Sequence, residues 1–468
     1  MDLKYWLDRA VGAVEEWAAE YGHFEPHPAL TVPDQEFAAA FAALASRLHD
    51  NYPFFHPRYA GQMLKPPHPA AVAGYVTAML INPNNHALDG GPATAQMEKE
   101  VVADLAAMFG FGTHLGHLTS SGTIANLEAL FVARETHPDA GVAYSTEAHY
   151  THGRMCQMLR MPGYAVPADS RGRMDLSACE DLLRTGRIGT VVLTAGTTGL
   201  GAVDPIHEAL ELRDRYGVRL HVDAAYGGFF TLLAGHGVDA DQEAEAALGV
   251  DADQEVEAAP WRAIARCDSV VVDPHKHGLQ PYGCGCVLFA DPGVGRFYAH
   301  DSPYTYFTSD QLHLGEISLE CSRAGAAAAA LWVTLQVLPA TPSGLGKVLA
   351  ATRRAALAFA ALLEKSESLA LYQQPDLDIV SYFPRRGTLA DIDFASARML
   401  AAGMASDDPV FLSTLRVADA GFSSRGHTVR GEGEARILRS VLMKPEQETC
   451  AEELFARIER LARPSGPA

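Results

Sequence analysis

Thr190-Val191-Val192-Leu193-Thr194, then Ile206–Tyr216, then Arg219-Leu220-His221-Val222-Asp223-Ala224 follow one another as a short apolar run, a helical stretch and a second apolar run. Runs this short and this continuously apolar read as strands buried on both faces, the requirement of a parallel sheet joined by crossover helices. Outward from this unit, Val142–Ser145, Ser269–Asp273 and Cys284–Phe289 are further runs of the same kind. Ala93–Phe109 reads as a helix with Met97, Val101, Leu105 and Phe109 four apart on one face, and a second helix spans roughly Ile124 to Glu135. The expectation is an α/β fold with a mostly parallel sheet in a large domain, covered on both faces and binding its ligand at the strands' carboxyl ends.

The flanks differ in texture. Tyr5–Tyr21, with Trp6, Ala10, Val14 and Trp17 near helical spacing, and Gln35–Leu48 read as helices separated by proline-rich connections that cannot sit inside one. They predict a helical arm, residues 1–90, draped over the large domain, residues 91–338. After Leu338-Pro339 come a long Ala/Leu-rich helix (Leu345–Lys365), strand-like Asp378–Phe383, Val410–Val417 and Ile437–Leu442, and a closing helix near Gln447–Ala462. These predict a small C-terminal α/β domain, residues 339–468. Gly237–Leu248 is nearly repeated as Gly249–Pro260, and every charged residue in the pair is acidic. A tandem duplication in a solvated surface loop explains this acidic insertion, 237–260, better than a binding role does.

Composition narrows the function. The formal charge of 37 − 57 = −20 argues against a nucleic-acid footprint, which needs a basic stripe. Seven scattered cysteines with no CxxC pair indicate neither a disulfide framework nor a zinc knuckle, so reduced thiols in a cytoplasmic protein are expected. The N-terminus lacks the layout of a signal peptide, and runs such as Ala324–Val337 are too short to span a membrane. His114 and His117 are separated by two residues without an acid nearby in sequence, and no HExxH occurs, so no metal site is expected.

Four short segments carry candidate chemistry. In His221–Gly228 an apolar strand ends in the carboxylate of Asp223, followed by small residues and glycines. Such a carboxylate can face a bound cation while the small neighbours admit a flat ring; taken alone, an Asp capping the next turn explains it equally well. In Ser269–Gly278 a buried strand delivers Lys276 between two imidazoles, where desolvation and cationic neighbours favour the neutral amine that attacks carbonyls. Leu118–Thr123 opens a helix with hydroxyl residues and Gly122, which makes a phosphate cradle or an ordinary Ser/Thr cap. Glu147–Tyr150, just past a strand, offers the flat imidazole of His149.

The order of these segments resembles the group II decarboxylases that depend on pyridoxal 5′-phosphate (PLP), the family of glutamate, aromatic-amino-acid and archaeal tyrosine/aspartate decarboxylases. The matching runs are SSGTIANLEAL (120–130), EAHYTH (147–152), GTTGLGAVDPI (196–206), HVDAAYGG (221–228), DPHKHGL (273–279) and RILRSVLMKPEQE (436–448). The resemblance implies fold type I, with the active site at a homodimer interface. It implies that Lys276 binds the cofactor covalently and that Asp223 pairs with the ring nitrogen. It further implies that His149 lies on one ring face and Ala225 on the other, that Ser121, Gly122, Thr123, Asp273 and His275 lie around the phosphate, and that Thr198 stands near the ring's substituents. Asp273 departs from the Asn of several members, and its carboxylate would repel a phosphate unless turned away or paired with His275 or His277.

The protein chooses among PLP reactions by orienting one Cα bond perpendicular to the ring, and the family resemblance points to loss of CO2 from an amino acid. Tyr304, with Tyr306 in reserve, matches the loop tyrosine that returns a proton to Cα. Phe54–Gln62 resembles the segment lining the substrate pocket, with Tyr59 and Gln62 as candidate substrate contacts. Arg58, Lys65 or Arg416 would serve an acidic side chain, and Arg323 more naturally holds structure or the cofactor region. An aromatic or acidic L-amino acid fits. The alternatives are an aldehyde-lyase or aminotransferase of the same fold, and a PLP-binding protein without turnover.

Overall fold

The structure, a computed structural model, describes residues 2–234, 256–298 and 313–463. Most of the acidic duplication therefore lies outside the described residues. Seven strands form the large sheet: β1 (Leu115–Thr119), β2 (Gly141–Ser145), β3 (Gly163–Val166), β4 (Ile188–Thr194), β5 (Arg219–Asp223), β6 (Ser269–Val272) and β7 (Gly285–Phe289). Their spatial order is β1-β7-β6-β5-β4-β2-β3. Strands β3, β2, β4, β5 and β6 are mutually parallel, whereas β7 runs antiparallel to both β6 and β1. The mostly parallel sheet read from the sequence is present, with β7 as its one reversed member.

Alternation along β6 and β7 shows why both faces are covered. Val270, Val272, Cys286 and Leu288 join one core with Leu105, Leu210 and Phe229. Val271, Val287 and Phe289 join a second core on the opposite face with Ala125, Ala129 and Val132. Strand side chains alternate faces with period two, so an unbroken apolar run is what a doubly covered strand needs.

The smaller sheet is antiparallel, in the order β10-β11-β9-β8: β8 (Leu369–Leu371), β9 (Ile379–Pro384), β10 (Ser413–Ala418) and β11 (Glu434–Val441). The helices Lys347–Glu364 and Gln447–Ala462 pack behind it through Phe359, Leu363, Phe455 and Ile458. Leu377, Ile379, Val441 and Met443 belong to the large sheet's core, so the two sheets share apolar packing. The segment at Tyr59–Ala60 is stitched into the small sheet, with Ala60 N–H donating to the Phe411 carbonyl and Val441 N–H to that of Ala60.

The N-terminal helices form at Leu3–Ala19 and Asp34–Leu48. The face predicted to pack does so only at Ala10; Trp6 and Trp17 stay 45% and 46% exposed. A third helix, Pro69–Ile81, packs against Gly325–Val337 and is absent from the sequence reading. Its prolines read as breakers, yet Pro69 sits in the first turn, where a missing N–H costs nothing, and His68 caps it by accepting from Ala70 N–H. Among the described residues no helix is long and apolar enough to cross a membrane.

Candidate active site

The parallel strands all end on one edge, and the side chains that follow those ends line a single cleft. Ser121, Gly122, Thr123, His149, Thr198, Asp223, Ala225, Asp273, His275 and Lys276 all line it, joined by Thr151, Thr194, Gly196 and Tyr226.

Asp223 is the last residue of β5 and is buried. Its Oδ2 lies 2.9 Å from His152 Nε2, and its Oδ1 accepts from Ala225 N–H at 3.2 Å. Burial alone would raise this carboxyl. The hydrogen bond from His152 and the fields of His152, Lys276 and His221 outweigh burial and hold it well below the ordinary carboxylate range. An anion is thus fixed at the strand end.

Lys276 follows β6, with its Nζ 3.0 Å from Asp273 Oδ2. His275 Nε2 is 3.5 Å from the same oxygen. The predicted flanking by two imidazoles is corrected here: only His275 lines the cleft. His277 is fully buried, with Nε2 3.2 Å from Asp378 Oδ2, because the turn that follows β6 carries it inward against Tyr226 and Phe230. Asp273 is paired with both Lys276 and His275, which answers the repulsion its charge would otherwise bring to a phosphate.

The helix Gly122–Thr136 starts at the carboxyl end of β1. Ser121 Oγ accepts from Ile124 N–H at 3.3 Å, so Ser121 acts as a helix cap. Any Cβ at position 122 would fall 2.6 Å from Asp273 Oδ2, so only glycine leaves the helix start open beside that carboxylate. The first-turn N–H groups have no acceptor within the helix and point with the dipole into the cleft.

His149 is half-buried, its Nδ1 2.7 Å from Thr151 Oγ1. Burial pushes its imidazole below the usual range, partly opposed by Asp223. It therefore presents a neutral flat ring. Gly196, at φ +99°, brings the loop after β4 within 3.0 Å of the Gly227 amide (measured from a Cβ built at 196), a closeness no other residue allows.

Two substrate candidates change role. Tyr59 is 3% exposed and does not line the cleft; its hydroxyl accepts from Gln62 N–H and its ring lies under the Lys444 ammonium. Gln62 instead meets Arg439, an arginine missed in the sequence. Arg439 is buried on β11, donating to Ser413 Oγ (3.0 Å), the Thr198 carbonyl (2.5 Å) and Gln62 Oε1 (3.3 Å). All three partners are neutral. The three cations offered for an acidic side chain go elsewhere: Arg58 pairs with Asp408, Lys65 donates to the Met443 carbonyl, and Arg416 is exposed on β10. Arg323 is structural, as expected, bridging Glu98 and the Leu118 carbonyl. His117 does have an acid partner, Glu128, at 2.9 Å. Tyr304 and Tyr306 lie outside the described residues.

The donor set fits PLP. Asp223 supplies an anion for a ring nitrogen, His149 and Ala225 supply flat and small neighbours, and Lys276 supplies the amine. At the other end stand the helix start and His275, whose buried Nδ1 has no protein partner and can take a phosphate oxygen.

Residues 54–247 match the family described as the pyridoxal-dependent decarboxylase conserved domain. The chain is 31% identical over 415 residues to an L-tyrosine decarboxylase of Enterococcus faecium, covering 69% of this chain and 68% of that protein. It is 32% identical over 280 residues to a probable L-aspartate decarboxylase of Halobacterium salinarum, covering 59% and 71% respectively. Its fold superposes on mouse CSAD with a TM-score of 0.76 at 20% identity, covering 96% of this chain and 92% of that one. It superposes on Oryza sativa TDC, solved with PLP and tryptamine, with a TM-score of 0.75 at 17% identity and 98% coverage of both.

Proposed function

Because the chain belongs to the family of pyridoxal-dependent decarboxylases, we propose that it releases the α-carboxylate of an aromatic or acidic L-amino acid as CO2, with PLP held on Lys276. The observation that carries this reading is the convergence of Lys276, Asp223, His149 and the Ser121–Thr123 helix start on one cleft, from four separate strand ends. The sequence relatives above are named as decarboxylases, which favours this reaction over the aldehyde-lyase and aminotransferase alternatives.

When bound, PLP supplies an electron sink for the pair left at Cα. The protein's part is placement. Asp223 would pair with the ring nitrogen and keep it protonated, and His149 and Ala225 would hold the ring. The amides of Gly122 and Thr123, with the Ser121, Thr123 and His275 side chains, would hold the phosphate. Thr198 borders the ring's substituents. Arg439, whose hydrogen-bond partners among the described residues are neutral, stands behind the Thr198 loop that lines the cleft, and its charge draws a substrate carboxylate toward that side. Tyr304 is proposed from sequence alone as the donor of the proton to Cα.

The relatives' names span tyrosine and aspartate, which is why both aromatic and acidic substrates stand. A screen of the amino acids for released CO2, with mass analysis of the amine, tests the proposal. Release from tyrosine, another aromatic residue, aspartate or glutamate supports it, and release from none of them overturns it.

We further propose a cytoplasmic homodimer in which the three parts 1–90, 91–338 and 339–468 act together. All seven cysteines are free thiols, as a reducing compartment would leave them. The helix Asp34–Leu48 buries none of its residues in the single chain, and Tyr5, Trp6, Trp17, Phe37 and Phe41 are exposed. An apolar surface of this kind calls for a partner, and a second copy of the chain is the one we propose.

A further inference from the structure

We propose that His152 is a positioning residue for the cofactor: its Nε2–H fixes the Asp223 carboxylate in the orientation and charge state that meets the ring nitrogen. This rests on the reading that PLP occupies the cleft, and adds a residue with no role in the sequence reading.

Among the described residues, His152 is the one side chain that hydrogen-bonds to Asp223. Lys276, His149 and His221 also stand near the carboxylate. His221, two residues earlier on the same strand, is engaged with Ser269 Oγ and Asn126 Oδ1. Lys276 is engaged with Asp273, and His149 with Thr151. His152 is fully buried, and its Nε2 stands 2.9 Å from Asp223 Oδ2. Its Nδ1 is buried and has no acceptor, so a proton there would be stranded; the proton sits on Nε2.

The placement is economical in sequence. His152 N–H donates to the His149 carbonyl, one turn earlier. The same turn that sets an imidazole against the ring sets a second imidazole under the carboxylate behind it. A buried carboxylate without this donor would tend to take up a proton, and a protonated Asp223 cannot hold a proton on the ring nitrogen.

The test uses the full chain loaded with PLP carrying 15N in its ring, with His152→Leu and His152→Gln as variants; Gln places an amide N–H near the lost Nε2–H. In the wild type the ring nitrogen should resonate as protonated. In His152→Leu it should move toward the unprotonated position and the PLP dissociation constant should rise about tenfold or more, with His152→Gln restoring most of both. A purely packing role would lower thermal stability without moving the nitrogen signal, and an unmoved signal in His152→Leu overturns the inference. Should His152→Leu fail to fold, the 15N spectrum of the wild-type His152 ring decides: a proton on Nε2 supports the inference and a proton on Nδ1 overturns it. If the wild type forms no covalent adduct with PLP, the reading beneath it fails instead.

Discussion

Asp273 Oδ2 stands 3.0 Å from Lys276 Nζ and 3.5 Å from His275 Nε2, so one buried carboxylate holds both the lysine of the cleft and the histidine before it. Asp273→Asn keeps an oxygen that accepts from Lys276, whereas Asp273→Leu leaves a cation beside an apolar group. Losing a charged hydrogen-bond partner costs about 1.5–3 kcal/mol, roughly ten- to a hundredfold in affinity. Spectroscopic titration with PLP should show the Leu variant weakened by that factor and the Asn variant by only a few-fold. Equal affinities would mean that Asp273 does not organise the lysine.

Gly122→Ala tests the phosphate cradle. The added methyl would meet Asp273 Oδ2 at 2.6 Å, so the carboxylate and the helix start must separate. PLP affinity should fall about tenfold or more, while the melting temperature of the apo protein stays within a few degrees, since alanine suits a first helical turn. Equilibrium dialysis and thermal unfolding check the two halves.

Arg439→Lys is not a conservative change at this site. The guanidinium reaches Ser413, Thr198 and Gln62 at once, a three-way fork that an ammonium cannot copy. KM for the amino acid should rise by about tenfold or more, with PLP affinity little changed. Steady-state kinetics beside a PLP titration separate these, and an unchanged KM would remove Arg439 from carboxylate binding.

Lys444 gives a pH prediction. Burial pushes its ammonium from 10.5 down to about 7, and the neighbouring charge of Lys65 adds to the shift. Between those values the unfolded chain binds the extra proton, so stability rises with pH across that window and is lost as pH falls toward 7. One proton gives at most about 1.4 kcal/mol per pH unit. Burial lowers Lys65 as well, to about 8, so wild-type stability should rise between pH 7 and 10 with contributions from both lysines. Lys444→Met should remove roughly half that slope in urea unfolding measured at several pH values. The same slope in both proteins would contradict the buried ammonium.

Much of the site was legible because its residues end apolar runs. Asp223 and Lys276 each follow a strand that needs no knowledge of its neighbours to be seen, and the helix start at Gly122 is punctuated by hydroxyls and glycine. What escaped depends on chain segments far apart in sequence. His152 meets Asp223 across 71 residues, and Arg439 meets Thr198 across 241; neither pairing leaves a local trace. Tyr59 misled for the opposite reason: an aromatic beside small residues reads as a pocket wall, but Lys444 and Gln62 claim it from the other side. The short β3, half of it exposed, has too little apolar content to announce itself, and the helix at Pro69 hid behind its own first residue.

The account rests on a covalent bond at one lysine. Borohydride reduction of the PLP-loaded protein, followed by peptide mapping, should place a single pyridoxyl group on the peptide containing Lys276 and none on a Lys276→Ala variant, which should also release no CO2. A pyridoxyl group on another lysine, or undiminished CO2 release from Lys276→Ala, would contradict it.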